Sequence, residues 1–137
     1  MARFDFEPSD EFVRTLEKLE NFDEVAERML KETAPILVNS LKTQIGHYNY
    51  YSQDGELKGS ITAGKIRVNE YGYYVPVGPA RNSKDSKGVR NGAKLAYLEY
   101  GTSKMAPHPV LEAAAMAVEN QIIEKMQQIF NEEAGAE

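Results

Sequence analysis

The chain has 137 residues, with 16 basic and 21 acidic side chains, a formal net charge of -5, no cysteine and two histidines, His47 and His108. That length fits one domain around a single core, and the lack of cysteine excludes disulfide frameworks, thiolate zinc sites and cysteine nucleophiles. No apolar run approaches the roughly 20 residues of a membrane span, and the first seven residues lack a basic-then-apolar signal order, so a soluble chain with no address label and no membrane partner is expected; the lack of cysteine fits synthesis in a reducing cytoplasm.

The charge is unevenly placed. Residues 1–46 carry 6 basic and 10 acidic groups, 47–108 carry 9 and 5, and 109–137 carry 1 and 6. An acidic total argues against gripping nucleic acid over the whole surface, because phosphate binding needs a basic footprint. The central block leaves room for a local one. Acidic helices with solvated faces are the plain explanation; the sharper one is self-complementarity, in which acidic helices of one copy meet the basic middle of the next.

In chain order, Ser9 and Asp10 precede Phe12, Leu16 and Leu19, which predicts a short capped helix over residues 9–21. A second, longer helix is predicted from about Asp23 to Gly46, since Phe22, Ala26, Met29, Leu30, Thr33, Leu37, Leu41 and Ile45 recur at three- and four-residue intervals. Pro35 inside that pattern removes a backbone donor and predicts a kink or a junction of two helices. Tyr48, Tyr50 and Tyr51 open a turn-rich stretch in which Leu57 and Ile61 anchor a short helical turn. Alternation of Ile66 and Val68 with Lys65, Arg67 and Asn69, then Tyr73, Val75 and Val77 beyond a turn at residues 70–72, predicts a hairpin. Pro76 in its second arm favours an edge or a bulge. Residues 80–92 hold Arg81, Lys84, Lys87 and Arg90 with little to bury, which predicts a mobile basic loop, and residues 93–100 read as a third strand. A connector with Pro107 and Pro109 leads to a final helix with an apolar stripe of Leu111, Ala114, Ala115, Val118, Ile122, Met126 and Ile129, Pro109 standing as its first residue. Residues 1–8 and 131–137 are expected to be flexible ends. The expected fold is a single α+β domain: a small antiparallel sheet of three to four strands packed against a long N-terminal helix and a C-terminal helix.

Candidate chemistry is sparse. Ser103, His108 and Glu99 are the residue types of a nucleophile, base and orienting acid, but no nucleophile elbow surrounds the serine. Neither histidine has a second ligand at metal spacing, and Gly55, Gly59 and Gly64 lack the lysine and hydroxyl of a phosphate loop. No catalytic residue, cofactor or metal is expected, and the chain reads as a non-enzymatic module. Tyr48, Tyr50 and Tyr51 with the basic loop could form a stacking platform and groove for a nucleic-acid strand; the alternative is that these rings pack over the rim of the core or at a subunit interface.

Residues 95–115 carry a specific pattern. Glu99, Tyr100, Gly101, Thr102, Ser103, Lys104, Met105, Pro107, His108 and Pro109 resemble, position by position, the C-terminal signature of the tail-completion, or head-tail joining, proteins of long-tailed bacteriophages. Upstream, Gly55, Leu57, Ser60 and Ile61 match that family's weaker Gly-x-Leu-x-x-Ser-Ile element, so the resemblance covers about residues 23–133. Val110 stands where phenylalanine is common, and Glu112-Ala113 replaces a frequent Arg-Pro. The resemblance implies a small α+β fold and a virion structural protein made in the host cytoplasm. It implies a ring, typically hexameric, at the neck, coupling the head-completion protein to the tail tube or tail terminator around DNA that passes without sequence-specific contact. The Glu99 to Pro109 turn would be architectural. Arg81, Lys84, Lys87 and Arg90 would face the DNA in the lumen, a neighbouring subunit's acidic helix, or solvent alone.

Overall fold

The computed structural model describes residues 22–48 and 56–134. The helix expected over residues 9–21, the flexible segment 1–8, Tyr50, Tyr51 and the last three residues lie outside the described residues.

Helix α1, Phe22–Gly46, buries Val25, Met29, Thr33, Ala34, Leu37, Leu41 and Ile45 along one stripe. It is one unbroken helix by hydrogen bonding, not two meeting at Pro35. Pro35 and Lys31 are both exposed, so the proline ring and the Lys31 carbonyl that it deprives of a donor lie on the solvent side of the helix, where the loss costs least. Thr33 is buried and bonds its hydroxyl to the Met29 carbonyl at 2.7 Å, which removes the penalty of a polar group in the stripe. Helix α4, Val110–Ala134, runs antiparallel to α1 and buries Val110, Ala114, Ile122, Met126, Ile129 and Phe130 against it. Contacts at both ends fix the direction. The Ser40 hydroxyl bonds the Ala114 carbonyl at 2.9 Å near one end, and at the other Arg28 reaches Glu132 at 2.6 Å and Glu133 at 2.7 Å.

Between these helices lie α2 (Glu56–Ser60), β1 (Ile61–Ala63), β2 (Arg67–Asn69), β3 (Gly72–Tyr74), β4 (Val77–Pro79) and α3 (Asn91–Tyr100). The expected sheet of three to four strands is replaced by two antiparallel pairs, β1 with β4 and β2 with β3. Both pairs belong to the same two arms of chain. Ala63 opposes Val77 and the Gly64 N–H bonds the Pro76 carbonyl, whereas Arg67 opposes Tyr74, so Lys65 and Ile66 together face Val75 alone. That extra residue is a bulge, and it falls beside Pro76, which has no N–H for the ladder. The hairpin turn itself is Glu70 and Tyr71. Its inner half is packed against α1, with Ile61, Val75 and Val77 buried; its outer half carries exposed Val68 and Tyr71.

The expected third strand, residues 93–100, is helical. Its buried residues Asn91, Leu95, Leu98 and Glu99 sit at helical spacing, and the intervening Gly92, Ala96, Tyr97 and Tyr100 are exposed. Tyrosines and flanking glycines suggest a strand locally, but only a helix turns both leucines and Glu99 into the core while leaving the two tyrosine rings in solvent. The final helix begins at Val110, one residue later than expected, and continues to Ala134.

Candidate functional site

The joint between α3 and α4 contains every residue of the Glu99 to Pro109 pattern. Helix α3 ends at Gly101, whose φ of 77° places it in the left-handed region. A side chain there would put its Cβ 2.8 Å from the Met105 carbonyl oxygen and 2.9 Å from the Pro107 nitrogen, so two independent reasons require glycine. The chain then makes a tight reversal. Thr102 and Met105 exchange backbone hydrogen bonds at 2.9 and 3.3 Å, and the Thr102 hydroxyl accepts the Lys104 N–H at 3.2 Å. Between the two prolines, the His108 N–H returns to the Leu98 carbonyl at 2.7 Å, and the His108 ring lies 4.5 Å from that of Tyr48.

Glu99 is buried, and its carboxylate accepts the N–H of Leu111 at 2.8 Å and, at a longer 3.4 Å, that of Glu112. The Val110 N–H bonds the His108 carbonyl and the Ala113 N–H the Pro109 carbonyl. All four amide groups that begin α4 therefore have an acceptor, two of them on one carboxylate donated by the preceding helix. A negative charge at that point also complements the helix dipole. Pro109 acts as the residue that starts the helix, with its carbonyl taking the first bond, and not as the first residue within it.

The Glu99 carboxylate thus already serves as a cap, and Ser103 is exposed on the far side of the reversal. The joint supports structure by every contact it makes. It also displays Tyr100, Thr102, Ser103 and Lys104 on the outside, with Tyr100 78% exposed.

The basic loop is the second feature. Arg81, Lys84, Lys87 and Arg90 are all exposed. Asp85 occupies its centre with its side chain largely covered, accepting the N–H groups of Lys87 and Val89 at 2.9 Å each and pairing with Lys94 at 2.5 Å. The hydrogen bond from Lys94 is the main cause that holds the Asp85 carboxyl below its ordinary pKa, with the Val89 N–H next. The Asp85 N–H returns to the Val89 carbonyl, the Asn91 N–H to the Ser83 carbonyl, and the Ser86 N–H to Glu56 of α2. The loop is thereby tied across its base and to a neighbouring element. Asn91 is buried with its Oδ1 unbonded while its Nδ2 donates to Ser83 at 3.2 Å.

The tyrosine cluster divides. Tyr48 is half-buried, packed against the core and His108; Tyr50 and Tyr51 fall outside the described residues. His47 is exposed, and among the described residues no group of three His, Asp or Glu side chains is arranged to hold a metal ion. No described helix is long and apolar enough to cross a membrane. Sequence reasoning missed the capping role of Glu99 and the hub role of Asp85. Asp85 carried a signal, as the one acid in a run of four bases; Glu99 carried none, because its acceptor role depends on α3 and α4 meeting. Comparison of the chain with protein-family models, with curated proteins and with solved structures finds no match.

Proposed function

We propose that this chain is a structural component of a long-tailed bacteriophage particle, a tail-completion or head-tail joining protein that assembles with copies of itself as a ring at the neck. The observation that carries the reading is the joint: the residues that resemble the family's signature are those that cap, reverse and fix α4, leaving no member of the pattern committed to chemistry. A chain of this size cannot surround a DNA channel alone, so the function rests on repeated copies. The head-completion protein and the tail tube or tail terminator are the partners on either face. Size-exclusion chromatography with light scattering, then negative-stain imaging of the chain mixed with a tail extract, tests this. Rings, alone or on tail ends, are expected; a chain that stays monomeric and decorates no tail overturns the proposal.

The second reading is a nucleic-acid-binding accessory protein. It is favoured by the four exposed cations of the loop, none of which pairs with a carboxylate among the described residues. Tyr48 does not add to it, since its ring lies against His108. Titration with single- and double-stranded DNA over a salt series distinguishes it: binding must weaken steeply with salt, and no binding at low ionic strength removes it.

A further inference from the structure

Resting on the ring reading, a contact between copies can be argued from two exposed surfaces that match in charge and in apolar content. The first is the basic loop, where Arg81, Lys84, Lys87 and Arg90 surround Val89, which is 41% exposed. Its one acid, Asp85, is turned inward onto Lys94 and does not offset the outward charge. The ties through Asp85, Ser83 and Glu56 hold the loop in shape before it meets anything, which lowers the entropy lost on docking.

The second surface is the outer face of α4. Glu112, Met116, Glu119 and Ile123 are spaced by four, three and four residues, so they form one stripe in which carboxylates and apolar side chains alternate. Met116 is 69% and Ile123 38% exposed, and Glu112 and Glu119 make no ion pair among the described residues. No lysine or arginine stands on the stripe. The chain carries both surfaces but does not join them to each other.

We propose that the basic loop of one copy docks on the α4 stripe of the next, seating Val89 between Met116 and Ile123 and bringing Lys87 and Arg90 against Glu112 and Glu119. Because the two faces differ, the contact is head-to-tail and repeats from copy to copy, as a closed ring requires. A second copy fits better than a phosphate backbone, which would meet the cations but offers nothing to Val89 and leaves the apolar acidic stripe without a counterpart.

The absence of cysteine makes the test direct. Val89→Cys and Met116→Cys proteins are prepared separately, mixed and oxidised. The mixture is expected to give a two-chain adduct that neither protein gives alone. In parallel, light scattering over a concentration series compares the wild type, Lys87→Glu, and Lys87→Glu combined with Glu119→Lys. The single reversal is expected to weaken self-association roughly ten-fold, and the second to restore most of it. All substituted residues are exposed, and circular dichroism checks that each variant folds. Oligomers without the mixed adduct and indifferent to Lys87→Glu overturn this contact and leave the ring reading standing. A monomer at every concentration, with no adduct, overturns this contact, and the ring reading falls with it only if the chain also decorates no tail. Loss of DNA binding in Lys87→Glu with self-association unchanged assigns the loop to phosphate and overturns the contact.

Discussion

Gly101 and Gly92 lie at opposite ends of the same short helix, yet they respond to a methyl group in opposite ways. At Gly101 the positive φ and the carbonyl of Met105 at 2.8 Å leave no room for one. Gly101→Ala is expected to destabilise the fold by about 2–4 kcal/mol, read from urea or thermal unfolding. Nothing lies within 4 Å of a Cβ at Gly92, whose φ is not in the left-handed region, so Gly92→Ala is expected to stabilise by about 0.5–1 kcal/mol. Glu99 is the other decisive residue. Removing its carboxylate takes the acceptor from the N–H groups of Leu111 and Glu112 at a part-buried helix start, and Glu99→Ala is expected to lose about 1–2 kcal/mol. Glu99→Gln retains an acceptor but no charge and should lose less. Equal losses for the two variants would show that the cap acts through charge alone.

Among the elements, the α1 and α4 pair is closed at one end by ion pairs. Arg28 bonds Glu32 as well as Glu132 and Glu133, and Lys125 approaches Glu32 at 3.6 Å. The Glu132 pKa is held below its ordinary value of 4.5, first by Arg28 and then by Gln128, and the Asp85 pKa below 3.8, first by Lys94. Both folded pKa values are depressed, so each carboxylate contributes stability that is complete above its ordinary pKa and disappears as pH falls through the depressed folded value. Stability is therefore expected to be flat near neutrality and to fall below about pH 4.5. Asp85→Asn should flatten part of that decline, as measured by urea midpoints over a pH series. Because Glu132 is exposed and screened, Arg28→Ala should alter the midpoint little at high salt. Helix α3 makes the separate point that an eight-residue run of apolar and aromatic character is ambiguous on its own. The spacing of Asn91, Leu95 and Leu98 was readable as helical, but the choice between periods was made by the face that could be buried.

For the whole molecule, the two long helices and the bulged hairpin bury a common core in which Leu41, Ile45, Leu57, Leu98, Ile122 and Ile129 are almost fully covered. Leu98 belongs to α3 yet serves this core, so Leu98→Ala is expected to cost about 2–5 kcal/mol, more than most single changes on the surface, and denaturant unfolding would measure it. The uneven charge also acts at this scale. The outward cations of the loop and the outward Glu112 and Glu119 of α4 make no ion pair with each other among the described residues, as the proposed contact between unlike faces of two copies needs.

The sequence by itself determined the two long amphipathic helices, the hairpin with its irregularity at Pro76 and the position of the basic loop, because each depends on local periodicity or on one residue's backbone limits. Only the tertiary structure decided that residues 91–100 are helical, that the sheet is two separate pairs, that α1 passes Pro35 unbroken, and that Glu99 caps a helix beginning 11 residues later. Those outcomes share a physical cause. Each depends on which side chains find a buried face or an unbonded amide supplied by a segment distant in the chain, and no local pattern contains that partner.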